Sequence, residues 1–284
     1  AQVAPRPVGV LLGLELTMNP FSAHPSYTAI ANQPLAERVA ALRDPDFREK
    51  LLSEEPASDN PFLKVMLRSF GKMFQLRDPV NYEPGPESTL EYMAKERSIS
   101  PEEMALALML ERDGHGVLYL PFLNYSQGSL EPIRAMMESP ATLPGLSDGG
   151  AHVGMICDGS FTTTMLTHWA RDRQRGPKLP IEYLVKRQTQ DTAQWMGLHD
   201  RGVIAPGYRA DLNVIDLANL KLHLPEVQYD LPAGGRRLMQ RASGYTATIL
   251  KGEVTHRDGD PTGAKPGRMV RGAQTLQTAA IAAE

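Results

Sequence analysis

Cysteine is almost absent from this 284-residue chain. Cys157 stands alone, so no internal disulfide can form. Such usage points to a reducing, cytoplasmic setting. An excess of charge of one sign is lacking too: 30 Lys and Arg face 33 Asp and Glu, a formal net charge of −3. A basic face for nucleic acid or an anionic membrane needs the opposite balance, so neither partner is expected. No apolar run approaches the ~18–20 residues of a membrane span. The opening residues carry no signal-peptide pattern. The first residue is Ala1 rather than Met, which reads as a processed chain or a piece of something longer. Several catalytic signatures are also missing. There is no GxSxG elbow and no phosphate-cradling GxxxxGK(S/T), which excludes the common serine-hydrolase and P-loop chemistries. There is no H-x-H, H-E-x-x-H or C-x-x-C, so the chain by itself offers no obvious zinc site.

What is present suits an α/β fold. Hydrophobic residues make up 42% of the chain, enough for a sizeable core. Val8–Leu14 is a short continuous apolar run that predicts a strand buried on both faces, and Val117–Leu123 predicts a second. Leu143–Leu146 closes a third. Between the last two lies LEPIRAMMES with helical character, and the order strand, helix, strand predicts a parallel βαβ unit. Residues 20–112 are rich in helix starts, with proline near the first position at Pro34 and Pro45. Ser100-Pro101-Glu102-Glu103 is a capping box opening the most secure helix. Phe161, Met165, Leu166 and Trp169 share one face of a further helix, and Pro180 opens another that ends at Gly197. After residue 197 the texture changes to short β-branched runs, with hairpin-type turns at Lys251-Gly252 and Asp258-Gly259. The alanine-rich tail predicts a frayed helix.

The stretch GLSDGGAHVG, residues 145–154, concentrates the candidate chemistry. Asp148 follows an apolar run and precedes Gly149 and Gly150, which let the backbone turn sharply. An acid there is either a turn-forming aspartate or a catalytic group at the carboxyl end of a strand. His152 shares the turn. Asn124 and Tyr125 end the second apolar run, where polar groups serve as substrate contacts or as caps. His168 beside Trp169 reads as a packed structural histidine, His24 as a turn residue, His223 and His256 as surface residues, and Asp158 as the start of a turn.

Taken together, several stretches resemble a known family. GLHDRGVIAPGYRADLNVID, residues 197–216, resembles the passage from the last barrel helix into the β-sandwich of metal-dependent amidohydrolases. SDGGAH, 147–152, is similar to their last barrel strand. QVAPRPVGVLLGLE, LPFLNYSQG, LTHWARDR, YDLPAGGRRLMQRASGY and GRMVRG resemble the D-aminoacylase, or N-acyl-D-amino-acid deacylase, branch. The resemblance implies the C-terminal part of a TIM-like (β/α)8 barrel over residues 1–196, with a helical insertion at about 20–112. A β-sandwich segment follows at 197–272, with a tail at 273–284. It also implies zinc, a metal-activated water attacking an amide carbon, and Asp148 as both metal ligand and proton shuttle. His152, Asn124, Tyr125 and Gly149 fall to substrate binding. The substrate implied is a small N-acyl compound. The family's H-x-H and middle-strand histidines have no counterpart here, so most zinc ligands are expected outside this chain, which by itself is expected to be inactive. No arginine stands near Cys157-Asp158-Gly159, where D-aminoacylases hold the substrate carboxylate. The alternative is a non-catalytic binding or assembly protein with a remnant of the fold. A partial barrel leaves apolar strand faces open, so self-association or a completing partner chain is expected unless the helices of 20–112 cover them.

Overall fold

The computed structural model describes residues 1–147 and 152–275. At its centre is a three-stranded sheet. Strand β2 (Val8–Leu12) and strand β3 (Phe74–Leu76) both pair antiparallel with β4 (Val117–Leu123), in the order β2–β4–β3. Side chains alternate across a strand, and here both faces find an apolar partner. Val10, Leu12, Leu118 and Leu120 join one core, shared with helices Pro25–Ile30, Leu35–Arg43, Pro45–Ser53 and Pro101–Met109. Leu11, Phe74, Leu76, Val117 and Tyr119 enter a second core with Tyr82, Trp169 and Met165. That double burial is why β2 and β4 read as unbroken apolar runs. Gly9 keeps the second face tight: a Cβ there would meet the Tyr119 ring at 2.1 Å.

The helical layer follows its capping chemistry. The Asp44 carboxylate accepts from Phe47 N–H at 2.9 Å, and Ser100 Oγ accepts from Glu103 N–H at 3.0 Å. Glu103 does not reach back to complete the box. It binds Arg48 at 2.6 Å and so ties helix Pro101–Met109 to helix Pro45–Ser53. On the helix beginning at Phe161, the predicted face is buried: Phe161, Met165, Leu166 and Trp169 all lie in the interior. After one α turn this helix widens to π geometry over Met165–Asp172.

Two expectations change. Strand β5 (Leu143–Pro144) does not pair with β4. It pairs in parallel with β1 (Gln2–Val3), Gln2 opposite Leu143. Both edges of β4 are already taken by β2 and β3, so a βαβ unit on β4 has no free edge to use. A continuous apolar run records burial on two faces and says nothing about strand direction. The second correction concerns exposure. The apolar faces of β2 and of the first four residues of β4 are covered within the chain, one by the helices of the insertion and the other by the core around Tyr82 and Trp169. Only the strand ends stay open, with Phe122, Leu123 and Leu146 51–53% exposed.

Residues 212–261 form antiparallel strands: β6 (Leu212–Ile215), β7 (Lys221–Leu222), β8 (Glu226–Leu231), β9 (Gly235–Met239), β10 (Ala242–Ser243), β11 (Tyr245–Leu250), β12 (Glu253–Arg257) and β13 (Asp260–Pro261). They pair as β13–β12–β11–β6, β7–β10 and β8–β9. Both predicted hairpin turns are present. Lys251 and Gly252 (φ 55° and 82°) and Asp258 and Gly259 (φ 48° and 90°) hold the paired positive φ of type I′ turns. Leu222 and Leu238 plug into the second core. Most of the predicted tail helix lies outside the described residues. Among the described residues, no helix is long and apolar enough to cross a membrane.

Candidate active site

The parallel pair β1–β5 organises the candidate site. Leu143 N–H donates to Ala1 O at 2.8 Å and Gly145 N–H to Val3 O at 2.9 Å. The two carboxyl ends therefore leave the pair side by side. From β1 the chain reaches Arg6; from β5 it reaches Ser147. Asp148 and Gly149, with Gly150 and Ala151, lie outside the described residues.

Arg6 is 1% exposed. Its Nη2 sits 3.1 Å from Asp158 Oδ1 and donates to Cys157 O at 2.9 Å and Ser160 Oγ at 3.3 Å. The guanidinium lies over the rings of Tyr82, at 3.8 Å, and Phe161, at 4.6 Å, which adds cation–π attraction in a dry setting. A buried charge pair is costly to break from one side, because the remaining charge is stranded. Ser147 Oγ donates to Asp158 O at 3.0 Å. The last described residue before Asp148 is thereby tied to the segment that Arg6 grips. Gln240 joins from the β-rich region, accepting from Ser160 Oγ at 2.6 Å and Tyr82 OH at 3.1 Å. Burial pushes the Cys157 thiol up to about 11, so it stays protonated near neutrality and is a poor nucleophile or metal ligand. A small cavity of about 150 Å3 opens here, walled by Pro5, Pro144, Gly145, Ser147 and Phe161.

Behind this lies a second buried charge cluster. Glu83 accepts from Arg173 twice at 3.0 Å, from Leu130 N–H at 3.0 Å, and contacts His168 Nε2 at 2.9 Å. Burial alone would raise the Glu83 pKa. The hydrogen bonds from His168, Arg173 and Leu130 outweigh it and hold the carboxyl down to about 2. His168 is thus a packed structural histidine, edge-on to Trp169.

Of the sequence-derived substrate residues, Gly149 lies outside the described residues, and the other three do not line one cavity. Asn124, in left-handed backbone at φ 64°, and buried Tyr125 line a separate cavity with Lys72 and Arg175. His152 is not among its walls. It is exposed, with φ 53°, and its carbonyl accepts from Met155 and Ile156 N–H. Among the described residues, no group of three or more His, Cys, Asp or Glu is arranged to hold a metal ion. Sequence reasoning passed over Arg6 and took Asp158 for a turn residue. The available signal was Pro5-Arg6-Pro7, a charge fixed between two prolines straight after a strand. His24 is more than a turn residue: it stands at the N-terminal boundary of helix Pro25–Ile30, without a side-chain capping bond, and is buried against Phe21.

A family model described as "Amidohydrolase family" matches residues 1–256. Uncharacterized proteins of Mycobacterium bovis and Mycobacterium tuberculosis are 31% identical over 177 residues, 59% of this chain and 28% of theirs. A 5-methylthioadenosine/S-adenosylhomocysteine deaminase of Desulfitobacterium hafniense is 35% identical over 81 residues, 25% of this chain and 19% of that protein. A D-aminoacylase crystal structure superposes with a TM-score of 0.38 at 24% identity, covering 68% of this chain and 36% of that one. The matched part thus spans well under half the length of each of these relatives. By the extent of the family match, the chain belongs to the amidohydrolase family.

Proposed function

We propose that this amidohydrolase-family chain forms the C-terminal part of a (β/α)8 barrel enzyme that hydrolyses a linear amide C–N bond in an N-acyl amino acid or related N-acyl compound. In this reading β1 and β5 are neighbouring barrel strands, and the helical insertion at about residues 20–112 falls between them in sequence. Residues 197–272 are a β-sandwich segment. The observation that carries the reading is the parallel β1–β5 pair, the arrangement a barrel requires, after whose carboxyl end the sequence runs into Asp148. Asp148 takes a proton from the attacking water and returns it to the leaving nitrogen. His152 and Gly149 contact the substrate.

The described residues do not make a metal centre by themselves. The zinc of this reading takes most of its ligands from polypeptide outside this sequence, with Asp148 the ligand this chain adds. The matched relatives being several times longer than the matched stretch supports that division. The chain alone is then inactive.

The test is to express this chain with its flanking coding sequence and assay a panel of N-acetylated amino acids. Asp148→Asn is expected to lower kcat by about 10²–10⁴-fold, the usual contribution of a general acid–base group, with the fold intact by circular dichroism. Near wild-type turnover in that variant would show that another group moves the proton. No hydrolysis of any N-acyl compound by the full-length protein would favour the non-catalytic alternative.

A further inference from the structure

The cavity at the end of β4 has features that neither the fold nor Asp148 explains. It measures about 580 Å3, within the ~300–1,000 Å3 range of small-molecule sites. Its walls carry two cations, Lys72 and Arg175, and no carboxylate among the described residues, in a chain whose net charge is −3. The Lys72 ammonium has no hydrogen-bond or ion-pair partner among the described residues. Arg175 is held from one side only: Nη1 donates to Pro84 O at 3.0 Å and to Tyr125 OH at 2.8 Å, and Tyr125 in turn donates to Pro84 O at 2.6 Å. That leaves the guanidinium fixed in place without an ion-pair partner among the described residues. Glu83, Glu87 and Asp172 line the neighbouring cavity that shares Arg175, and none of them forms an ion pair with it among the described residues.

A second observation points the same way. The first four residues of β4 are fully buried, yet the strand stays apolar past the covered region, with Phe122 51% and Leu123 53% exposed on the cavity wall beside Pro121. Apolar surface kept next to unpaired cations suits a ligand that is apolar along its body and anionic at one end.

We infer that this cavity binds an amphiphilic monocarboxylate, a medium-chain fatty acid or the acyl acid of similar shape, with its carboxylate at Lys72 and Arg175 and its chain along Phe122 and Leu123. The site does not depend on Asp148 or on any hydrolytic activity. Such an acid has the chemistry of the product released when an N-acyl group is hydrolysed, so the cavity is suited to sense or retain that class of product.

Sodium octanoate titrated into the chain by calorimetry tests it. Saturable one-to-one binding is expected with a Kd of about 1 mM, the scale for a ligand of this size. Acetate, which lacks the tail, and octanol, which lacks the charge, are expected to bind at least about tenfold more weakly. Lys72→Gln and Arg175→Gln are each expected to weaken octanoate by roughly fivefold to tenfold, an ordinary loss for one charge-assisted contact. The Lys72 ammonium has no partner among the described residues, so its variant is informative even if Arg175→Gln disturbs Tyr125. The inference is overturned by octanol binding as tightly as octanoate, by octanoate affinity unchanged in Lys72→Gln, or by no saturable heat up to about ten times the expected Kd.

Discussion

The β2–β4–β3 sheet and the β1–β5 pair are both hydrogen-bonded strands of this chain, and they end in opposite conditions. The three-stranded sheet is covered on both faces, by insertion helices on one side and by the Tyr82–Trp169 core on the other. The parallel pair is two residues long on each strand, and β5 is only half-buried. What holds its carboxyl ends is mostly polar: the Arg6–Asp158 pair and the Ser147 hydroxyl. One region is finished by hydrophobic burial within the chain. The other is held by a few directional contacts around an edge that remains open, and an open, precisely held strand end is where a barrel enzyme needs its chemistry.

The difference can be broken most severely at Arg6. Arg6→Ala takes the guanidinium away from the buried Asp158 carboxylate, which is expected to cost about 3–5 kcal/mol in urea unfolding. The Arg6→Ala/Asp158→Ala double variant should cost clearly less than the sum of the singles, because both report one interaction. An Asp158→Ala variant within about 0.5 kcal/mol of wild type would mean that the aromatic and carbonyl contacts of Arg6 hold this end without the carboxylate. Next in size is the contrast of two leucines. Leu12 is fully buried in β2, so Leu12→Ala is expected to cost about 2–5 kcal/mol. Leu143 in β5 is only half-buried, and Leu143→Ala is expected to cost about 1 kcal/mol or less. Equal losses would show that the pair is packed as well as the sheet.

These two regions also mark what the sequence disclosed. Unbroken apolar runs located β2 and β4, the Ser100 capping box located its helix, and Lys251-Gly252 and Asp258-Gly259 located their hairpins, because each depends on residues close in sequence. Strand partners were not legible. Whether Val117–Leu123 faces Leu143 or Val8 depends on which edge is free, and the arrival of β3 from within the insertion decides that. The candidate site was read only at its sequence-local part, Asp148 and His152. Arg6 and Asp158 lie 152 positions apart, and Glu83 meets Arg173 across 90. Such pairs have no local periodicity, and a lone Arg or Asp looks like any surface charge until the fold buries it.

The charge cluster behind the pair provides a pH test. The Glu83 pKa is depressed to about 2 in the folded state, from an ordinary value near 4.5. A group depressed on folding contributes stability above its unfolded pKa and loses it as pH falls toward the folded one. Stability is therefore expected to decline between about pH 4.5 and 2 through this residue, and to decline less steeply in Glu83→Gln, which starts from a lower level at pH 7. Parallel stability–pH curves for the two proteins would show that Glu83 is not the group responsible.

The smallest effect is expected at Ser147, and it bears most directly on how the open end is held. Ser147 is itself exposed, and its hydroxyl makes one neutral hydrogen bond to Asp158 O. Losing such a bond costs about 0.5–1.5 kcal/mol where the acceptor is buried, and less where water can replace the donor. Ser147→Ala should accordingly lower global stability by no more than about 1 kcal/mol. The local effect should be larger in proportion. Hydrogen exchange in peptides spanning residues 145–158 is expected to quicken by roughly fivefold, while peptides from β2 and β4 keep wild-type rates. Unchanged exchange over 145–158 would show that Arg6 alone fixes this end and the serine is incidental. A loss as large as that of Arg6→Ala, with β4 exchange rising too, would erase the distinction between the two regions and make the end of β5 part of the cooperative core.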